Sequence, residues 1–345
     1  MTEDHTAPGS LGFDAGTLDA FLQDRISGLG SLCGIKPISG GQSNPTFFVT
    51  YANRRLVLRK KPAGAILPSA HAVDREARIL QALAGTDVPV PHVLVFHAEP
   101  DVVGTPFYVM DRVEGRVFGT AALDGTAERR AMYMSFAKTL ARLHDLDWRQ
   151  LGLDGFGRPS GYFARQLSRW GKQWQAGWFR DVPDLTRLEA WLTANLPDSD
   201  GQATICHGDF RIGNMMFHPT EPHIVAVLDW ELSTIGDPLA DLGYSIISWR
   251  SAPAEYGGVL GLDLATLGIP TEAEFLDHYY ASRRTPAERL TRFHIGFSMF
   301  RFAVIFEGIA ARSRAGTAAS ANAADVDKLS FAFARRGLEA AGLAA

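Results

Sequence analysis

Three side chains in one stretch of the chain have the types and spacing that moving a phosphoryl group requires. Asp209 sits in His207-Gly208-Asp209, Asn214 follows five residues later, and Asp229 lies fifteen residues beyond Asn214, after the β-rich run Ile224 to Leu228. Phosphoryl transfer asks little covalent work of a protein; it needs a carboxylate that orients the attacking hydroxyl and takes its proton, and hard oxygen ligands for magnesium. Asp209 suits the first task, and Asn214 with Asp229 suits the second. Arg211 is placed to neutralise charge on the transferred group. A lone His-Gly-Asp is commonly a turn, and a histidine there more often scaffolding than an acid–base group, so the spaced Asn214 and Asp229 carry the inference. Cys206 beside His207 is a poor nucleophile candidate, because neighbours on a strand point to opposite faces. His207, His218 and His223 match no familiar zinc spacing.

These residues need elements to hold them. A short helix is expected around Thr17 to Ser27, and then Ile35 to Lys60 alternates turn residues with β-rich runs at Phe47 to Tyr51 and Arg55 to Leu58, a hairpin signature. Ala70 to Leu83 carries Val73, Ala77, Leu80 and Leu83 at helical spacing, and two further strands are expected at Val93 to Phe96 and Pro106 to Met110. Past residues 111 to 125 the pattern turns helical. Met132, Phe136, Leu140 and Leu143 form one stripe, and Trp170, Trp174 and Trp178 another, which is core more often than a ligand pocket. Short β signals return at Ala203 to Cys206, Met215 to Phe217 and Ile224 to Leu228. The expected class is α+β: a small antiparallel β lobe with one main helix, then a larger, mostly helical lobe. The expected division is a flexible tail over 1–12, an N-lobe over 13–112 and a C-lobe over 113–345, with 315–324 a loop before a last helix.

The Cys206 to Glu231 segment resembles the catalytic loop and metal-binding aspartate of the aminoglycoside phosphotransferase family, relatives of the protein kinases with the same bilobal fold. The resemblance implies Asp209 as catalytic base and Asn214 and Asp229 as ligands of Mg²⁺, with ATP or GTP as co-substrate. Asp229 is followed by Trp230-Glu231 where protein kinases have Phe-Gly, so no movable Phe switch is implied. Other parts follow by the same resemblance. Ser39 to Asn44, with Ser43 and Asn44 as contacts, resembles the loop over the triphosphate. Leu56-Val-Leu-Arg-Lys-Lys61 resembles the strand whose cation binds phosphates, Arg59 standing first and Lys61, on the same strand face, as fallback. Glu76 matches the partner of that cation. Phe107 to Gly115 resembles the hinge, an edge strand that meets adenine through Met110, Asp111 and Val113, chiefly by the backbone of the last two. Asp237 and Asp241 are expected to be structural, near a helix start.

The acceptor is narrowed less. Val57 to Pro62, Pro68 to Glu76, Arg165 to Trp170 and Phe300 to Gly308 look like the kinase-like domain fused to acyl-CoA dehydrogenases in some animal proteins, which implies a hydroxyacyl-CoA or another hydroxylated acid. Arg301, Arg312 and Arg314 suit an anionic acceptor, or are surface charge, whereas a polycationic aminoglycoside would call for carboxylates. The competing readings are an aminoglycoside-type antibiotic kinase and a non-catalytic nucleotide-binding relative. A formal net charge of −4 argues against wholesale binding to nucleic acid or an anionic membrane. No uninterrupted apolar run approaches the ~20 residues of a membrane span, and two cysteines far apart suggest a reducing compartment, the cytoplasm.

Overall fold

The computed structural model describes residues 11–38, 44–63, 72–198, 201–314 and 323–343. The tail over 1–10, the candidate Ser43 with the rest of 39–43, and residues 315–322 lie outside the described residues. The chain divides into two compact units, Met1–Glu114 and Gly115–Ala345.

The first unit opens with α1 (Ala15–Arg25), which starts two residues before the first expected helical position because the Asp14 carboxylate caps it, accepting from the Thr17 N–H at 2.7 Å. Strands β1 (Leu32–Pro37), β2 (Thr46–Tyr51) and β3 (Arg55–Lys60) form an antiparallel meander, followed by α2 (Val73–Leu83), β4 (Val93–His97) and β5 (Phe107–Asp111). The sheet order is β1-β2-β3-β5-β4. The expected edge strand is therefore interior: β4 folds back outside β5 and pairs with it from Val93↔Met110 to His97↔Phe107. One face of the sheet packs Val49, Leu56, Leu58 and Phe107 against Leu18 and Leu22 of α1. Lys60 belongs to this face. Its ammonium donates to the Val103 carbonyl and lies over the Phe13 ring, and burial lowers its pKa. Helix α2 buries the stripe Val73, Ala77, Leu80 and Leu83, each large side chain contributing about 1.5–3 kcal/mol.

The second unit contains β6 (Arg116–Val117), α3 (Arg129–His144), α4 (Tyr162–Ala176), α5 (Pro183–Ala194), β7 (Thr204–Cys206), β8 (Met215–Phe217), β9 (Ile224–Val227) and β10 (Thr234–Gly236). Then come α6 (Pro238–Ser245), α7 (Leu264–Leu267), α8 (Glu272–Ser282), α9 (Arg292–Arg314) and α10 (Ala323–Ala341). The β6-β8-β9 sheet and the β10-β7 pair are the β insert that carries the candidate site. Helix α9 is long and apolar enough to cross a membrane by length and composition, yet most of it is buried inside this unit, where it packs on α4, α5, α6 and α10. Trp170 and Trp174 are core residues; α4 ends before Trp178, which is exposed and stacks on Trp174 with ring centroids 5.5 Å apart.

Candidate active site

The loop between β7 and β8 is held from below by one carboxylate. Asp241, in the first turn of α6, accepts the backbone N–H of His207 at 2.5 Å and of Gly208 at 2.8 Å. Burial acts to raise the Asp241 carboxyl, but the His144 and His207 imidazoles and the Gly208 N–H outweigh it and hold the group below its ordinary value. Helix α6 starts where it does because Asp237 caps it through the Leu239 N–H at 2.8 Å and Pro238 takes the first helical position. Gly208 turns the chain at φ +85°, and a Cβ there would meet the Leu232 carbonyl oxygen at 2.6 Å.

His207 is a pin. It is fully buried, its Nδ1 accepts the Asp209 N–H at 3.1 Å, and its Nε2 therefore carries the proton and donates to the Leu228 carbonyl at 2.9 Å. Cys206 is equally inert: burial pushes its thiol well above the ordinary range, and its Sγ lies 3.3 Å from the Asp237 carbonyl.

Asp209, so placed, is gripped at both carboxylate oxygens. Oδ2 accepts from Asn214 Nδ2 at 2.7 Å and lies 3.3 Å from Arg211 Nε. Oδ1 accepts the hydroxyl of Tyr244. Asn214 Nδ2 also reaches the Asp209 carbonyl at 2.9 Å, so both amide hydrogens go to one residue. The register of β8 on β9 pairs Met215 with Val227, and Leu228 donates to the Asn214 carbonyl at 2.9 Å, which sets Asp229 beside Asn214. Asp229 holds a left-handed backbone, φ +65°, where a non-glycine residue costs about 1–2 kcal/mol. The sequence candidates Asp209, Arg211, Asn214 and Asp229 are thus brought together.

Magnesium fits this donor set. Asn214 is buried, and with its Nδ2 committed its Oδ1 accepts no hydrogen bond among the described residues; that amide oxygen and the neighbouring Asp229 carboxylate are the hard ligands Mg²⁺ prefers.

The first unit assembles its own candidates. Arg59 Nε lies 2.9 Å from Glu76 Oε2, with Glu76 almost wholly buried; the approach is an ion pair by distance rather than an aligned hydrogen bond. Thr46 is opposite Arg59 in the β2–β3 register, so Asn44 stands at the Arg59 end of the hairpin, its side chain buried with neither amide atom partnered among the described residues. Lys61 is half-buried and makes backbone bonds to Pro106 and Thr105. Along the expected hinge, Met110 lies inside the ladder opposite Val57 and Val93. The Asp111 N–H is taken by the His92 carbonyl at 3.0 Å and its carboxylate by Arg54, so that N–H is not on offer to a base. Val113 makes no backbone hydrogen bond among the described residues.

Of the next two participants, the sequence reading names Arg301 but not Tyr244. Tyr244 holds Asp209, and Arg301 stacks on Tyr244 with its guanidinium 5.0 Å from the ring, and on Trp170 at 5.3 Å. Arg301, for which the sequence leaves open an acceptor-facing cation or surface charge, is only 7% exposed, and its Nε has no hydrogen-bond partner among the described residues. The available signal was the spacing of Asp241 and Tyr244, three residues apart on one helix face.

Comparison with known proteins agrees with this geometry. The profile described as Phosphotransferase enzyme family, APH, matches residues 34–293. Acyl-CoA dehydrogenase family member 10 of Mus musculus is 42% identical over 299 residues, covering 85% of this chain and 28% of the relative. Family member 11 of Gallus gallus is 41% identical over 339 residues, 95% of this chain and 43% of the relative. The chain thus spans less than half the length of these curated relatives. Among solved structures, a candidate aminoglycoside phosphotransferase of Ralstonia eutropha JMP134 superposes with a TM-score of 0.86 at 40% identity, covering 96% of this chain and 99% of that one. A thermostable mutant of aminoglycoside phosphotransferase APH(4)-Ia, in ternary complex with AMP-PNP and hygromycin B, shares the fold at a TM-score of 0.61 and 18% identity, over 93% of this chain and 99% of that one. The architecture is the α+β, protein-kinase-like one, and with a family profile over most of its length and a gripped Asp209 beside Asn214 and Asp229, this chain belongs to the APH phosphotransferase enzyme family.

Proposed function

We propose that the protein is a Mg²⁺-dependent kinase of a small molecule, transferring the γ-phosphoryl group of ATP or GTP to an alcohol. The observation that carries this is the Asp209 carboxylate, fixed by Asn214, Arg211 and Tyr244 and set next to a pair of oxygen ligands. In the reaction the acceptor oxygen bonds to the γ-phosphorus, the bond to the β,γ-bridging oxygen breaks, the hydroxyl proton passes to Asp209, and the nucleoside diphosphate leaves. Bound Mg²⁺ supplies charge neutralisation on the phosphate oxygens, with Asn214 and Asp229 as its protein ligands. Arg59, backed by Glu76, binds phosphate with two donors, and Val113 offers its backbone to the base.

The acceptor class this favours is a hydroxylated acid, free or as its CoA ester, on the strength of the acyl-CoA dehydrogenase family relatives. The direct test is Asp209→Ala, assayed for transfer of labelled γ-phosphate and separately for nucleotide binding by calorimetry. Transfer is expected to vanish while Mg²⁺-dependent binding persists; undiminished turnover overturns the assignment.

A further inference from the structure

Beside Asp209 the second unit contains a pocket lined by Gly119, Thr120, Arg211, Tyr244, Tyr256 and Phe302, together with two isoleucines and several small residues. Two of these residues touch Asp209 directly: Arg211 on Oδ2 and Tyr244 on Oδ1. Oδ2 is shared between Asn214 and Arg211, whereas Oδ1 meets only Tyr244 of the pocket wall. Tyr244 cannot swing freely. It is buried, its ring lies 4.8 Å from that of Phe302, and the Arg301 guanidinium covers it. Its phenol stays protonated, since burial pushes it well above the ordinary range.

The charge in the lining is one-sided. Among the described residues that line it, Arg211 is the single ionic side chain, stacked 5.9 Å from the Tyr256 ring, and none is a carboxylate. The acid next to Tyr256 in sequence, Glu255, is taken up by Arg336 at 3.2 Å and by the Ala252 N–H. Tyr256 is held in a strained backbone, φ +96°, with its ring against Phe302 and Phe306, a conformation of the kind that clusters at ligand sites. A polycation placed here would meet the Arg211 guanidinium, while the adjacent Asp209 carboxylate is already paired by that arginine.

We propose that this pocket seats the acceptor and selects neutral or anionic alcohols with an apolar portion over polycations, with Tyr244 as the positioning residue that fixes the Asp209 oxygen facing the acceptor hydroxyl. This deepens the kinase reading above and rests on it.

Gly119 gives a clean probe. It lies on the pocket lining with an ordinary negative φ, and a Cβ there meets nothing within 4 Å, so side chains enter open space without strain. The full chain is assayed with labelled ATP against a medium-chain hydroxy acid, the matching neutral diol and hygromycin B, with acceptor-free ATP hydrolysis as the control. The wild type is expected to phosphorylate the acid and the diol and not hygromycin B. Gly119→Trp should raise the acceptor KM at least about tenfold. Gly119→Asp should raise the KM for the acid severalfold over isosteric Gly119→Asn, with no such difference for the diol. Tyr244→Phe should lower kcat about tenfold with the KM for ATP unchanged; a merely structural role would reduce the folded fraction and leave its kcat intact. Equal KM values for the Asp and Asn variants, an unaltered KM in Gly119→Trp, or preference for hygromycin B overturns the pocket assignment. Steady hydrolysis with no transfer to any of the three overturns the acceptor class, whereas neither hydrolysis nor transfer overturns the kinase reading itself.

Discussion

Asn214 gives both hydrogens of its side-chain amide to Asp209, one to the carboxylate and one to the backbone carbonyl, at 2.7 and 2.9 Å. The amide thus faces two ways, its nitrogen toward the base and its oxygen toward the metal position. Asn214→Ala removes the orienting bond and a metal ligand together, and should lower kcat about a hundredfold and raise the Mg²⁺ concentration needed for half-maximal rate. Asn214→Asp keeps an oxygen ligand but sets a second carboxylate against Asp209, so activity should fall even at saturating Mg²⁺. Titrating Mg²⁺ against rate for both variants checks this, and full recovery of the Asp variant by added metal would count against the double role.

Asp241 sits one step further from the chemistry. Its two carboxylate oxygens accept two buried backbone N–H groups of the catalytic loop, so Asp241→Asn turns an acceptor into a donor aimed at an N–H. The loss should be about 3 kcal/mol of stability, with activity falling in parallel. Urea unfolding followed by tryptophan fluorescence reads it as an earlier midpoint, and a midpoint unmoved from wild type would contradict the anchoring role.

How much of this was visible in the chain follows from what is local. The Asp209 to Asn214 spacing and the strand leading to Asp229 are short-range, so one turn and one hairpin suffice to join them. Val73, Ala77, Leu80 and Leu83 announce α2 by their period. Strand order is not local: nothing within Phe107 to Asp111 tells that β4 will pair outside it, and so the hinge strand was expected at an edge. Helix α5 was passed over although Pro183 at its start and Leu185, Leu188 and Leu192 at helical spacing mark it. Tyr244 was out of reach for a different reason. Its contact with Asp209 spans 35 residues and depends on where Asp237 starts α6. The sequence leaves Arg301 open between an acceptor-facing cation and surface charge because a lone arginine in a helix says nothing of the two aromatic rings that enclose it.

The cations of β3 should separate cleanly by experiment. Arg59 pairs with buried Glu76, Lys60 donates into the opposite face, and Lys61 lies past the strand end. Arg59→Ala should raise the KM for ATP at least about tenfold, and Arg59→Lys less, because the ammonium keeps the charge and loses the two-donor fork. Lys61→Ala should change the KM for ATP less than about twofold, while Lys60→Met should act on thermal stability alone. Steady-state kinetics across ATP concentration decide it; a larger effect at Lys61 than at Arg59 would transfer the role.

His294 supplies a pH signature that belongs to the fold rather than to catalysis. It is buried at the start of α9, its Nδ1 accepting from Thr291 and its ring packed on Phe163, and burial lowers its pKa from 6.5 to about 4. The unfolded imidazole takes its proton near pH 6.5, the folded one only near pH 4. Between those values the unfolded chain binds more protons, so stability from this residue is intact above about pH 6.5 and declines as the pH falls toward 4, by about 3 kcal/mol in all. His294→Gln cannot take up that proton. Its unfolding free energy, measured from pH 7.5 to 4.5, should therefore decline less steeply than that of the wild type, and parallel slopes for the two proteins would show that this imidazole is not held neutral by the fold.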